Sequence, residues 1–149
     1  MINYQLKKSN KNDIERLIEY KKETTYEYAT NLTLEEKNEI DKYLFDEVKE
    51  KFDYYYNIVV NNKVVGCLLL TNNDNGKLLD ELYLEEEYRN NKIGTDIIKN
   101  ILNRNDVVYL WVYKLNTKAI SLYKRLGFQI MEETETRYYM KYSRVNNEK

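Results

Sequence analysis

The stretch that decides the fold runs from Leu79 to Ile98 and reads LDELYLEEEYRNNKIGTDII. Residues 79–84 alternate in the manner of a strand, and an acidic joint follows at 85–87. The polar turn 88–95 then leads directly into an amphipathic helix. Such a turn presents free backbone N–H groups at the positive end of the helix dipole, which is a site for phosphate. The stretch therefore predicts a strand, an anion-binding turn and a helix in immediate succession.

The composition indicates one globular domain over residues 1–149, with a frayed tail at 144–149. Its net charge of −1 lacks the basic footprint of a nucleic-acid binder, so we expect no nucleic-acid partner. No apolar run is long enough to span a membrane, and the N-terminus lacks the apolar core of a secretion signal. A single cysteine excludes an internal disulfide. We therefore expect a cytoplasmic protein with no membrane partner.

Histidine is absent from the sequence. Histidine-based triads, histidine–metal sites and imidazole bases are excluded as a result, and we expect no metal. Acid–base chemistry must come from carboxylates, tyrosine, lysine, the lone thiol, water or the backbone.

The first half of the chain predicts one strand and two helices. The strand covers 2–6, and a helix begins at 12–13. This helix either ends near 24–25, followed by a loop to Asn31, or continues over that segment. One face of this helix carries Ile14, Leu17, Ile18 and Lys21. Thr33 and Glu36 form a capping box before a second helix of about five turns. The acidic face of this second helix is either simply solvated or forms a wall that attracts a cationic substrate.

Two β-rich runs, 54–60 and 63–70, surround Asn61-Asn62 and predict a hairpin. A turn at 72–76 then leads to the strand within 78–84, which completes a meander of three antiparallel strands. Cys67, flanked by apolar residues, is interpreted as a small buried hydrophobe rather than a nucleophile.

The second half predicts a parallel strand–helix–strand unit, because the strand 107–112 is apolar throughout and suits burial on both faces. A further helix begins at Asn116 and ends at Gly127 in the C′ position. Two final strands are expected at 128–131 and 137–142.

Two motifs placed on this element order resemble the GNAT superfamily of N-acetyltransferases. The first is Arg89-Asn90-Asn91-Lys92-Ile93-Gly94, which is similar to the family's acyl-CoA loop. The second is the stretch 116–128, NTKAISLYKRLGF, which is similar to the family's Asn-x-x-Ala-x-x-x-Tyr-x-x-x-Gly-Phe helix. The resemblance implies an α+β fold. Its mixed, largely antiparallel sheet would have about seven strands, splayed between strands 4 and 5 and flanked by about four helices.

The resemblance also implies that acetyl-CoA is the cosubstrate and that its phosphates are bound by the turn, through Arg89, Asn90, Asn91, Lys92, Ile93, Gly94 and Thr95. Lys92 departs from the family pattern, which more often has glycine there. A positive φ at Lys92 would cost on the order of 1–2 kcal/mol, whereas a negative φ would let its ammonium assist the phosphates. We expect the negative φ.

Further site residues follow from the resemblance. Leu82, Tyr83 and Leu84 would lie along the pantetheine arm, with a backbone N–H near Leu82 facing the thioester carbonyl. Asn116 would cap its helix and contact the pantetheine. Tyr123 is the candidate general acid, because a phenol with a pKa of about 10 can protonate a departing thiolate.

Glu81 is the candidate general base, acting directly or through a water, since its neighbour Asp80 points to the opposite sheet face. The acids at 85–87 are expected to be solvated or to orient the loop.

These features predict direct transfer of an acetyl group to a primary amine of a small molecule or peptide. A non-catalytic module that binds or senses acyl-CoA is the alternative. The many acids favour a cationic amine, and residues 24–53, including Tyr26 and Tyr28, are expected to form the acceptor wall. Homodimers are frequent in the resembled family, so a homodimer stays open for this chain.

Overall fold

The computed structural model describes residues 2–147 of the chain. These residues form seven strands: β1 (Gln5–Lys8), β2 (Tyr55–Val60), β3 (Lys63–Asn73), β4 (Gly76–Leu84), β5 (Val107–Tyr113), β6 (Gln129–Glu133) and β7 (Arg137–Ser143). The helices are α1 (Ile14–Tyr28), α2 (Leu34–Lys51), α3 (Ile93–Arg104), α4 (Thr117–Arg125) and the one-turn α5 (Arg144–Asn147). Within the described residues, no helix combines the length and apolar character that a membrane span requires.

The seven strands form one sheet in the order β1-β2-β3-β4-β5-β7-β6. The pairs β1–β2, β2–β3, β5–β7 and β6–β7 are antiparallel, and β4 runs parallel to β5. The β4–β5 ladder joins 77–79 to 108–110, and in the described part of the chain it goes no further, although β4 continues to Leu84. The predicted α+β fold, with a mixed and largely antiparallel sheet that splays between strands 4 and 5, is therefore confirmed.

The chain divides into two compact units. The N-terminal unit comprises Ile2–Leu69 and Glu81–Tyr88, and the C-terminal unit comprises Leu70–Asp80 and the residues from Arg89 onward. The single domain expected from length stays a prediction. Buried residues of the N-terminal unit include Leu17, Tyr20, Val48, Tyr55, Cys67, Leu69 and Tyr83. Those of the C-terminal unit include Ile93, Ile97, Ile98, Val108, Leu110 and Met140.

The helix signals in the sequence correspond to real caps. The Thr33–Glu36 capping box is present, and α2 extends over 18 residues, as the prediction of about five turns requires. The first helix continues beyond 24–25, since α1 extends through Tyr28, but it ends before Asn31. A second capping box, Asn10 with Asp13, precedes α1 and was missed by the sequence analysis.

Two expectations about the strands need correction. The first strand covers Gln5–Lys8 rather than 2–6, because pairing with β2 begins only at Gln5. Trp111 of β5 is 39% exposed, so β5 is not buried on both faces; its ring lies against Tyr139 and under the Arg137 guanidinium. The frayed tail at 144–149 stays a prediction: α5 covers its first residues, and residues 148–149 lie outside the described residues.

A close backbone approach explains one glycine of the N-terminal unit. A Cβ at Gly66 would lie 2.1 Å from the Tyr83 carbonyl oxygen, so β3 and β4 can approach each other here only without a side chain. The β2–β3 register shifts by one residue just beyond, between Ile58 and Val59, as in a β-bulge.

Candidate active site

The predicted acyl-CoA loop lies in the C-terminal unit and contains two left-handed residues. Asn90 has φ 63°, and Lys92 has φ 67° and ψ 5°. The expectation of a negative φ at Lys92 is therefore wrong. The chain must turn sharply at this N-cap position to enter α3, and a residue with a Cβ accepts the left-handed conformation at a cost on the order of 1–2 kcal/mol. Glycine would adopt it without that cost.

The N-terminus of α3 follows this loop, with Lys92 as its N-cap. The Lys92 side chain makes no capping hydrogen bond, whereas its carbonyl oxygen accepts from the Asp96 N–H at 2.9 Å. The first-turn N–H groups, from Ile93 to Thr95, therefore donate no hydrogen bond to the N-cap side chain. Ile93 is fully buried and anchors the turn. Uncapped N–H donors at a helix N-terminus suit phosphate oxygens, so the loop fits the group that the resemblance implies.

The second motif forms α4, also in the C-terminal unit. The Asn116 side chain accepts from the Ala119 N–H at 3.2 Å, which confirms its capping role. Gly127 follows the helix with φ 107°, and the Phe128 N–H donates back to the Tyr123 carbonyl oxygen at 3.0 Å. The Tyr123 ring packs edge-on against Phe128, at 5.6 Å between centroids. The helix end thus fixes the direction of the Tyr123 ring.

The structure joins these two motifs. The ammonium of Lys118, in the first turn of α4, donates to the Asn90 side-chain oxygen in the loop. This contact could not be predicted from the motif, because Lys118 occupies one of its unspecified positions. Its placement between Asn116 and Ala119, at the exposed start of a helix, was the available signal.

Glu81 lies in the N-terminal unit and is only 7% exposed. One oxygen of its carboxylate accepts from the Tyr55 hydroxyl at 2.7 Å and lies 3.4 Å from the Lys21 ammonium. The other oxygen accepts from the Cys67 thiol at 3.2 Å. We call these four residues (Lys21, Tyr55, Cys67 and Glu81) the Glu81 cluster. Asp80 is exposed, as expected for a neighbour on the opposite face of the strand.

Cys67 is buried, as predicted, but it is more than a small hydrophobe because its thiol is a hydrogen-bond donor. Burial raises the pKa of the Cys67 thiol well above its usual range, and the nearby Glu81 carboxylate raises it further. The thiol is therefore protonated at neutral pH, which agrees with the prediction that it is not a nucleophile.

The predicted pantetheine strand continues from Glu81 in the N-terminal unit. Tyr83 is buried; its ring stacks on Tyr20 at 4.5 Å, and its hydroxyl donates to Glu23. Leu82 and Leu84 are half-buried and alternate with it. The structure thus gives the Tyr83 side chain a packing role, while main-chain contacts of Leu82 and Leu84 with pantetheine stay a prediction.

The acidic joint is not uniformly solvated. Glu85 is half-buried and accepts from the Tyr20 hydroxyl at 2.5 Å, whereas Glu86 and Glu87 are exposed. Burial, and then the Glu85 carboxylate, raise the pKa of Tyr20. Glu85 therefore fastens the end of β4 to α1.

The predicted site residues thus fall into two groups. Arg89 to Thr95, Asn116 and Tyr123 belong to the C-terminal unit, and Glu81, Leu82, Tyr83 and Leu84 belong to the N-terminal unit. Lys21 and Tyr55 were missed as partners of Glu81. Lys21 had a signal, because a lysine on the apolar face with Leu17 and Ile18 needs a buried partner. Tyr55 had none within its run of tyrosines. Over the described residues, no group of acids and the cysteine is arranged to hold a metal ion.

Comparison with known proteins identifies the family to which the chain belongs. A sequence profile described as the acetyltransferase (GNAT) family matches residues 15–128, which include both motifs and Glu81. The chain therefore belongs to the GNAT acetyltransferase family. A search of curated proteins gives no match.

Solved structures share the fold at low sequence identity. The PaiA N-acetyltransferase of Thermoplasma acidophilum, determined with coenzyme A, is 20% identical with a TM-score of 0.67, over 95% of this chain and 99% of that one. Ard1 of Thermoplasma volcanium is 19% identical with a TM-score of 0.70, over 95% and 98%. YjaB of Escherichia coli, in its apo form, is 17% identical with a TM-score of 0.72, over 95% and 98%.

Proposed function

We propose that this protein is an N-acetyltransferase that passes the acetyl group of acetyl-CoA directly to a primary amine of a small molecule or peptide. The observation that carries the proposal is the loop Arg89–Lys92, which turns through two left-handed residues into an α3 N-terminus without a side-chain cap. Its family membership and the coenzyme A in the PaiA structure support the same donor.

The donor phosphates would be held by the first N–H groups of α3 and by the cations near them. Each charge-assisted hydrogen bond contributes about 1.5–3 kcal/mol. The Lys118 ammonium donates to the Asn90 side-chain oxygen, so the first turn of α4 stabilises the loop conformation. Lys92 supplies a positive charge at the N-cap, even though its backbone conformation is the strained one.

In the proposed reaction the amine nitrogen forms a bond to the acetyl carbonyl carbon, and the carbon–sulfur bond breaks. Tyr123 donates its hydroxyl proton to the departing sulfur. The nitrogen loses a proton as the amide forms, and through solvent this proton replaces the one that Tyr123 gave. A well-placed general acid contributes about 10²–10⁴-fold to the rate. No covalent acyl-enzyme is needed, and the protonated Cys67 thiol is not suited to form one.

An alkylammonium must first lose one proton before its nitrogen can attack. We assign Glu81 as the group that receives this proton, through a water, because its carboxylate is buried and held by three donors. The proton is then released to solvent, so that one proton is produced per acetyl group transferred to an ammonium substrate.

We propose a cationic acceptor. Support comes from exposed acids of α2 such as Glu35, Glu39 and Glu50. Asp46 and the half-buried Glu47 are instead paired with Lys42 and Lys51 along the helix. A shallow pocket at the α1–α2 connection offers a place for part of the acceptor; it is lined by Tyr26, Ala29, Thr30, Asn31, Leu32 and Lys37. The Tyr26 hydroxyl donates to Asp41 at 2.5 Å, and burial with this bond raises the pKa of Tyr26 to about 12.

Two measurements test the proposal. Calorimetry with acetyl-CoA determines whether the donor binds, and a thiol-release assay over a panel of polyamines, aminoglycosides, amino acids and peptides determines whether amines accept the acetyl group. We expect donor binding and amine-stimulated release of coenzyme A. Donor binding without release over the whole panel would favour a sensing module, and absence of donor binding would refute both functions.

A further inference from the structure

The Glu81 cluster assembles side chains from α1, β2, β3 and β4, all within the N-terminal unit. A carboxylate offers about four lone-pair positions. Three of them are directed to Tyr55, Lys21 and Cys67, at 2.7, 3.4 and 3.2 Å. Because the donors come from three elements, the carboxylate is held in one orientation, with capacity for one more hydrogen bond.

The charges of the cluster are balanced by one residue. Burying a carboxylate without a partner costs several kcal/mol, and such a group normally becomes protonated instead. Lys21, whose side chain is 15% exposed, is the cation that compensates Glu81. Cys67 is a neutral donor, since burial and the Glu81 carboxylate raise the pKa of its thiol, and the Tyr55 hydroxyl donates to the same carboxylate. Glu81 is therefore the acceptor in each of these contacts.

We propose that Lys21 and Tyr55 are positioning residues for acetyl transfer: they keep Glu81 an oriented carboxylate anion that can receive the proton of the acceptor ammonium. The inference rests on the proposed function. It extends that function to two residues outside both motifs. Lys21 acts through its charge, and Tyr55 acts through the direction of its hydrogen bond.

Other charged and titratable groups of the same unit surround the cluster. The charge of Arg16 opposes the rise in the pKa of Cys67. The Tyr20 hydroxyl is engaged by Glu85, and the Tyr83 hydroxyl by Glu23. Those two carboxylates therefore have hydroxyl partners of their own. Among the described contacts, Lys21 is the cation that pairs with the Glu81 carboxylate.

The first test measures kcat, the KM for acetyl-CoA and the pH profile of kcat/KM in Lys21→Met and Tyr55→Phe. We expect kcat to fall about tenfold or more in each, up to the roughly 10²–10⁴-fold that loss of a general base would cause, while the KM for acetyl-CoA is unchanged. In Lys21→Met the acid limb of the profile should move to higher pH, because the carboxylate has lost its cation. Lys21→Arg should return the acid limb to its wild-type pH. Lys22→Met, on the same helix, is the matched control.

A second readout does not depend on activity. Cys67 is the one cysteine of the chain, so its labelled ¹³Cβ gives a single NMR signal. Removing the carboxylate in Glu81→Gln should shift the thiol titration to lower pH, because that charge raises the pKa of Cys67. An unchanged thiol titration, or an active enzyme whose acid limb stays in place in Lys21→Met, would overturn the inference. Failure of every amine to accept an acetyl group would instead refute the proposed function.

Discussion

The loop of the C-terminal unit and the Glu81 cluster of the N-terminal unit are built in opposite ways. The loop consists of consecutive residues, and its chemistry resides in backbone N–H groups that a short motif specifies. The cluster consists of side chains up to 60 residues apart in sequence, as Lys21 and Glu81 are, and its chemistry depends on burial. The comparison shows why the loop is visible in the sequence, whereas the Glu81 cluster emerges only from the fold.

The largest expected effect is on kcat, and it comes from Tyr123 in the second motif. Tyr123→Phe removes the proposed general acid while keeping the ring that packs on Phe128. We expect kcat to fall about 10²–10⁴-fold, with the dissociation constant for acetyl-CoA unchanged by calorimetry. Tyr142→Phe is the matched control, since Tyr142 also packs against Phe128, at 5.8 Å. Equal turnover in Tyr123→Phe and wild type would remove Tyr123 from the mechanism.

The largest effect on stability is expected in the Glu81 cluster. Glu81→Leu leaves the Lys21 ammonium and the Tyr55 hydroxyl without their buried acceptor. Urea unfolding should show a loss of about 3 kcal/mol in the free energy of unfolding, as for other buried pairs broken on one side. Adding Lys21→Met should recover much of this loss, because the buried ammonium that compensated the carboxylate is removed as well.

Replacing an exposed acid should cause almost no loss in the free energy of unfolding. Glu87→Leu should change the free energy of unfolding by less than about 0.5 kcal/mol, because its side chain is 69% exposed and lies 3.9 Å from Lys63. A similar loss in Glu87→Leu and Glu81→Leu would mean that burial does not distinguish the two carboxylates.

The features that could be predicted from the sequence are those that depend on neighbouring residues, and the features that could not depend on distant ones. Local signals were sufficient for the Thr33 capping box, the Asn61-Asn62 hairpin and the Asn116 cap, because each depends on neighbours within a few residues. The conformation of Lys92 was predicted wrongly, since side-chain identity favoured a negative φ while the entry into α3 required a positive one. Tyr55 could not be found, because nothing in a run of tyrosines indicates which hydroxyl meets a distant carboxylate.

Asp13 combines both kinds of contact and sharpens the comparison. Its carboxylate accepts from the Asn10 N–H in a local capping box and from the side chains of Arg16 and Asn57. Burial alone would raise its pKa, but these hydrogen bonds and the Arg16 charge lower the pKa of Asp13 below 3.8. The stabilisation is therefore complete above the unfolded-state pKa and is lost as the pH falls through the lower folded-state value.

Asp13→Asn should consequently cost about 1.5 kcal/mol at pH 7, the scale of a hydrogen bond to a charged group. The difference from wild type should shrink as urea unfolding is repeated at pH values below about 4. A difference that stays constant down to pH 2 would show that the charge of Asp13 is not what its partners stabilise.

The last comparison concerns the loop itself, where backbone strain can be separated from charge. Lys92→Gly relieves the left-handed conformation at φ 67° and should raise the free energy of unfolding by about 1 kcal/mol. Lys99→Gly makes the same chemical change at an exposed position inside α3, where glycine should lower the free energy of unfolding by about 1 kcal/mol. Opposite signs in the two variants, measured by urea unfolding, would show that the chain accepts strain at the mouth of α3. A weaker affinity for acetyl-CoA in Lys92→Gly alone would then indicate that lysine is kept at this position for its charge, in spite of its backbone conformation.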